Sequence, residues 1–67
     1  MDEVKAIIVS AIAGAGGSMG WDALLAQVPE NRRRYFIAAL KTLEAEGTHK
    51  RQVTATPEGA VFAVVKI

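Results

Sequence analysis

Apolar side chains recur at Val4, Ile7, Ile8, Ala11 and Ile12, the i, i+3, i+4, i+7, i+8 spacing of an amphipathic helix. The spacing predicts a helix from Asp2 to Ala13, with Asp2 as a candidate cap and Glu3 suited to the positive end of its dipole. Gly14-Ala15-Gly16-Gly17-Ser18 breaks that helix, and Ser18 to Trp21 reads as a short extended piece. Trp21, Leu24, Leu25 and Val28 then repeat at helical spacing, predicting a short second helix that Pro29 prevents from running on.

The stretch from Asn31 to Gly47, NRRRYFIAALKTLEAEG, reads as one further helix. It contains no internal Gly or Pro, and Ala, Leu, Lys, Arg and Glu dominate it. Asn31 is placed to cap its first turn, and Gly47 to end it in the left-handed conformation. At 100° per residue, Phe36, Leu40 and Leu43 fall together with Ile37 and Ala39 on the flanks, so this is the face expected to be buried. Arg34, Tyr35, Ala38, Lys41, Thr42 and Ala45 lie on the other side.

After Gly47 the period changes. Thr48 to Ala55 is rich in β-formers, Pro57-Glu58-Gly59 is a turn signal, and Ala60 to Ile67 is strongly β-like, so the pair reads as a hairpin. The expected core is Val4, Ile7, Ile8, Ala11, Leu24, Leu25, Val28, Phe36, Leu40, Leu43 and Phe62. In the last strand Phe62 and Val64 alternate with Val61, Ala63, Val65 and Ile67. Both faces are apolar, so either the first helix or a second copy of the chain is expected to cover the second face, with Val65 as the probe position.

Sixty-seven residues fit one domain, 1–67. Net charge is only +1, but it is unevenly spread: residues 1–30 sum to −3, residues 31–51 to +4, and the remainder to zero. A field concentrated in one third of the chain points to a polyanionic partner. Three adjacent arginines at a helix start oppose the dipole, which favours acids there, and that cost suggests an anion facing them.

Other chemistries find little to build on. The absence of cysteine excludes disulfides and thiolate metal sites, and a single histidine makes structural zinc a poor fit, so no metal and no cofactor is expected. The glycine-rich segment follows a helix rather than a strand and lacks a Gly-Lys-Ser/Thr, so it is not a nucleotide loop. The carboxylates are scattered over helix ends and turns and His49 has no evident partner, so the chain reads as a non-enzyme with no small-molecule ligand. The start is acidic rather than basic and no apolar run is long enough for a membrane span, so a cytoplasmic, or nucleoid-associated, protein without membrane contact is expected.

The order helix, short strand, helix, tight turn, basic helix, hairpin resembles the winged helix-turn-helix family of DNA-binding domains. Leu24-Leu25-Ala26 looks like part of the supporting helix. Phe36, Leu40, Leu43-Glu44 and Gly47 look like the apolar spacing and the "LE-x-x-G" that close a recognition helix, and Thr48 to Ile67 looks like the two wing strands. The resemblance implies an α+β fold: a three-helix winged helix-turn-helix with a C-terminal β-hairpin wing. It also implies that helix 31–46 enters the major groove of double-stranded DNA. Asn31, Arg32, Arg33 and Arg34 would lead, Tyr35, Ala38, Lys41 and Thr42 would lie along the exposed face, and Lys50 and Arg51 would contact phosphate from the wing. Two departures stand out: the wing tip, Ala55 to Gly59, has no Arg or Lys, and His49 stands where the family usually has an apolar residue.

The expected function is that of a small transcriptional regulator that binds DNA as a homodimer. The basic side chains from Arg32 to Arg51 are expected to form one contiguous surface. The alternative is a winged-helix protein–protein module without specific DNA binding, for which Tyr35, Ala38, Ala45 and the apolar last strand would serve. The charge asymmetry favours DNA.

Overall fold

The computed structural model describes residues 2–67. They form an α+β unit: three α-helices, one 3₁₀ segment and a three-stranded antiparallel sheet among the described residues. Helix α1 spans Asp2–Gly14, strand β1 Ser18–Gly20, α2 Trp21–Ala26, α3 Phe36–Ala45, β2 His49–Thr56 and β3 Gly59–Lys66. The 3₁₀ segment, Glu30–Tyr35, leads directly into α3.

The α1 stripe packs as its spacing dictates, with Val4, Ile8 and Ile12 fully buried and Ile7 and Ala11 at the margin. Asp2 lies inside the helix rather than capping it. The helix closes with the Gly17 N–H donating to the Ile12 carbonyl at 2.9 Å, a reach of five residues that satisfies a carbonyl left open at the helix end. The end of α3 repeats this device: the Thr48 N–H donates to the Leu43 carbonyl at 3.3 Å and the Gly47 N–H to Glu44 at 3.0 Å. Gly47 has φ +77°, a left-handed conformation that glycine adopts without a Cβ penalty.

Two helix boundaries differ from the periodic reading. Helix α2 stops at Ala26, because the amides of Gln27 and Val28 bond three residues back, to Leu24 and Leu25, and so tighten the exit toward Pro29. The stretch expected as one helix over 31–46 is two elements. Its first turn and a half is 3₁₀, opened by the Arg32 N–H donating to the Pro29 carbonyl at 2.8 Å. Asn31 therefore caps nothing; Pro29 occupies the cap position, without a side-chain hydrogen bond. Composition does not separate the two helix types here, since 3₁₀ turns are frequent at the N-terminal ends of α-helices and no residue of this stretch forbids either.

The sheet order is β1-β3-β2, so β3 is central. Ser18 to Gly20 pairs with Val65 to Ala63, and His49 to Thr56 pairs with Lys66 to Gly59 without a break in register. Residues opposite one another share a face. His49, Arg51, Val53, Phe62, Val64 and Met19 thus point to the helical side, and Lys50, Gln52, Thr54, Val61, Ala63 and Val65 to the other. Gly59 (φ 131°) lets the chain leave the Pro57-Glu58 turn and re-enter the sheet.

The core joins Val4, Ile8, Ile12, Leu24, Val28, Phe36, Ala39, Leu40, Leu43 and Val64. Trp21 meets Phe36 edge to face, ring centroids 5.1 Å apart, and so locks α2 to the start of α3. Phe62 is not part of this core: it is 51% exposed, and Val64 is the strand's buried residue. The two share a face, but the hairpin overhangs the helical layer, so only its base is covered. Helix α1 contributes to the core on the Val64 side, and the outer stripe of Val61, Ala63 and Val65 has only polar neighbours or glycine in the flanking strands. No helix among the described residues is long and apolar enough to cross a membrane.

Candidate nucleic-acid interface

The 3₁₀ geometry decides where the three arginines go. With three residues per turn, successive side chains project about 120° apart. Arg32 turns to α1 and forms an ion pair with Glu3. Arg33 turns back to the segment after α2, donating from Nε to the Val28 carbonyl at 3.1 Å. Arg34 lies over the Tyr35 ring, its guanidinium carbon 4.8 Å from the centroid, and donates from Nη2 to the Tyr35 hydroxyl at 2.6 Å. Each arginine has its own direction and its own acceptor.

Helix α3 presents a clean outer face. Phe36, Ala39, Leu40 and Leu43 are buried, which leaves Ala38, Lys41 and Ala45 pointing away from the core. Thr42 is half-buried and folds its hydroxyl back on the Ala38 carbonyl at 3.0 Å, so its hydrogen-bond donor is already used. Ile37 and Glu44 occupy the flank that faces the hairpin. No acidic residue occurs between Asn31 and Leu43.

The hairpin cations separate. Lys50 and Arg51 are neighbours in a strand and so emerge on opposite faces. Arg51 is on the helical side, donating from Nε to Oε1 of Glu44 at 2.8 Å. Lys50 is exposed on the far side. The expected single surface of Arg32, Arg33, Arg34, Tyr35, Lys41, Lys50 and Arg51 is therefore broken up. Asn31, Arg32 and half-buried Tyr35 gather beside Glu3 and Val4 at the start of α1, and Lys50 lies across the sheet from Arg51. Among the described residues, Arg33, Arg34, Lys41, Lys50 and Lys66 are outside ion pairs.

Periodicity did not reveal the acids that take up the remaining cations. Glu3 holds Arg32, Glu44 holds Arg51, and Glu46 holds Lys5 of α1. The contacts of Glu3 and Glu46 join distant parts of the chain, and that of Glu44 spans the turn from α3 into β2, so only the folded arrangement makes these pairs neighbours. Also unforeseen is an apolar cleft between α3 and the hairpin, lined by Trp21, Ile37, Arg51 and Phe62.

His49 is 3% exposed, packed at the base of β2. Its Nδ1 lies 2.9 Å from the Thr48 hydroxyl. Burial, and then the charge of Lys66 opposite it in the sheet, hold its pKa below the usual histidine value of 6.5. It is a packed side chain whose burial disfavours the protonated form.

Compared with protein-family models, with curated proteins and with solved structures, the chain matches none.

Proposed function

We propose that the chain is a winged helix-turn-helix domain that binds double-stranded DNA, with α3 and the 3₁₀ turn before it as the reading element. The supporting observation is the acid-free run from Asn31 to Leu43, in which Arg33, Arg34 and Lys41 are all outside ion pairs and Lys41 shares the exposed face of α3 with the small residues Ala38 and Ala45. Small side chains let the helix backbone approach a groove, and the cations around them supply the phosphate contacts that dominate affinity. Arg34, whose guanidinium lies over the Tyr35 ring, is the side chain proposed to reach a guanine edge. Lys50 adds a phosphate contact from the hairpin, and Arg51 does so once it leaves Glu44. The role is regulatory or architectural rather than catalytic, since His49 is buried beside a cation and Glu3, Glu44 and Glu46 are engaged in ion pairs.

A protein–protein module is the second reading. The observation that favours it is the cleft between α3 and the hairpin, where Ile37 and Phe62 are 40% and 51% exposed. Salt dependence separates the two. With four contributing cations, DNA binding should weaken with salt at a slope of about −3 to −4 in log K against log salt. A protein partner seated in the apolar cleft would show little salt dependence, and the chain would not bind duplex DNA even at low salt.

A further inference from the structure

Strand β2 forms one rim of the sheet, and its outer edge is unpaired among the described residues. The Thr48 carbonyl accepts from the Ile67 N–H at 2.9 Å, so the even-numbered residues of this strand turn their backbone groups inward to β3. Arg51, Val53 and Ala55 therefore turn theirs outward, and all three are exposed. Exposed edges normally carry a proline, a bulge or a central charge that prevents pairing. This one has no proline between His49 and Thr56, and its register with β3 runs without a bulge. From Gln52 to Thr56 it has no charge. Val53 in the middle is 59% exposed, beside Phe62 across the ladder at 51%.

We propose that this edge pairs antiparallel with the same edge of a second copy, about a two-fold axis at Val53, to give one continuous six-stranded sheet. The charge pattern selects that register. Centring on Arg51 would set the two Arg51 side chains directly opposite, which is unfavourable. Centring on Val53 sets Arg51 against the partner's Ala55 and Lys50 against the partner's Thr56. It also brings the partner's Glu58, in the adjoining turn, to the diagonal position from Lys50, a complementary pair made twice by the symmetry. Val53 then meets its own copy on the helical side of the sheet, and the outward N–H and C=O groups of Arg51, Val53 and Ala55 are all satisfied. The contact is short compared with a standard interface of ~800 Å² per partner, so the dimer is weak and forms as concentration rises. Lys50 takes part both in this contact and in the proposed DNA contact, but Val53 takes part in this one alone, so the Val53 variants test the dimer separately from DNA binding.

Sedimentation equilibrium of the full chain at rising concentration is the test, with three variants. Val53→Pro removes an outward N–H while leaving the inward ladder to β3 intact. Val53→Lys keeps the N–H but sets like charges face to face on the axis. Val65→Lys changes the outer sheet face instead. The expected result is a monomer–dimer equilibrium in the native chain and in Val65→Lys, and loss of the dimer in Val53→Pro. Val53→Lys, which does not depend on the hairpin tolerating proline, should dimerise weakly at low salt and regain the dimer at high salt. A native chain that stays monomeric throughout overturns the proposal. So does a dimer lost in Val65→Lys and retained in both Val53 variants, which would place the contact on the Val61, Ala63 and Val65 face.

Discussion

Arg51 donates from Nε to Oε1 of Glu44 across 2.8 Å, tying the first hairpin strand to the last turn of α3. Both side chains are about one third exposed (38% and 33%), so the contact contributes at most about 1 kcal/mol to stability. Its larger effect is on charge, because it neutralises a cation next to the proposed DNA surface. Glu44→Gln should leave the melting temperature nearly unchanged and strengthen binding to duplex DNA severalfold at low salt. Fluorescence anisotropy at two salt concentrations checks this. A variant that binds DNA no better than the native chain would show that Arg51 takes no part.

The two phenylalanines should respond in opposite ways. Phe36 is 2% exposed and meets Trp21 edge to face, so Phe36→Ala should cost about 3–5 kcal/mol. For a chain at the lower end of ~5–15 kcal/mol, that loss is enough to unfold it. Phe62, half in water, should cost less than about 1.5 kcal/mol on the same change. Urea denaturation of both variants checks the contrast. Equal losses would mean that the hairpin packs over the helices more closely than described.

How far these placements were legible in the sequence differs from residue to residue. The stripe Val4, Ile7, Ile8, Ala11 and Ile12 defines α1 because a period of 3.6 survives any tertiary context. Gly47 marks the end of α3 because few other residues accept its backbone conformation. Phe62 was misplaced for a different reason: alternation tells which face a strand residue shares, and Phe62 does share it with Val64. How far the helical layer extends beneath the hairpin depends on packing between elements distant in the chain. The arginines show the same limit. Three in a row announce a charge, but it is the packing of the 3₁₀ segment against α1 and the exit of α2 that brings Arg32 to Glu3 and Arg33 to the Val28 carbonyl. The reach of Glu3, Glu44 and Glu46 to their cations is likewise tertiary.

Gly47 supplies a prediction in which backbone alone is at issue. A Cβ added there meets nothing within 4 Å, so Gly47→Ala introduces no clash. Only the left-handed φ of +77° is penalised, by roughly 1–2 kcal/mol. A loss of that size in chemical denaturation, with an unchanged amide spectrum elsewhere, is the expected outcome. No loss would mean that the α3 exit relaxes to another turn.

His49 should make stability depend on pH. Its folded pKa is lowered below 6.5, so the unfolded chain takes up the proton first as pH falls. Where the unfolded state binds more protons, stability rises with pH. The contribution is therefore fully present above the unfolded value of 6.5 and is lost progressively as pH falls from there to the folded value. The urea midpoint should decline as pH falls below about 6.5 in the native chain. In His49→Leu, which packs without a titratable group, that decline should disappear. The same decline in both would assign it to the carboxylates.

Contact between DNA and the outer face of α3, together with the arginine turn before it, is best followed in the backbone amide NMR spectrum as duplex DNA is added at low salt. Shifts should concentrate at Arg33, Arg34, Ala38, Lys41 and Lys50, with the α1 face around Ala6, Val9 and Ser10 unmoved. Arg34→Ala should weaken binding at a specific site by about 1–3 kcal/mol. A spectrum that does not change with DNA, or shifts confined to α1 and to Val61, Ala63 and Val65 of the hairpin, would contradict that contact.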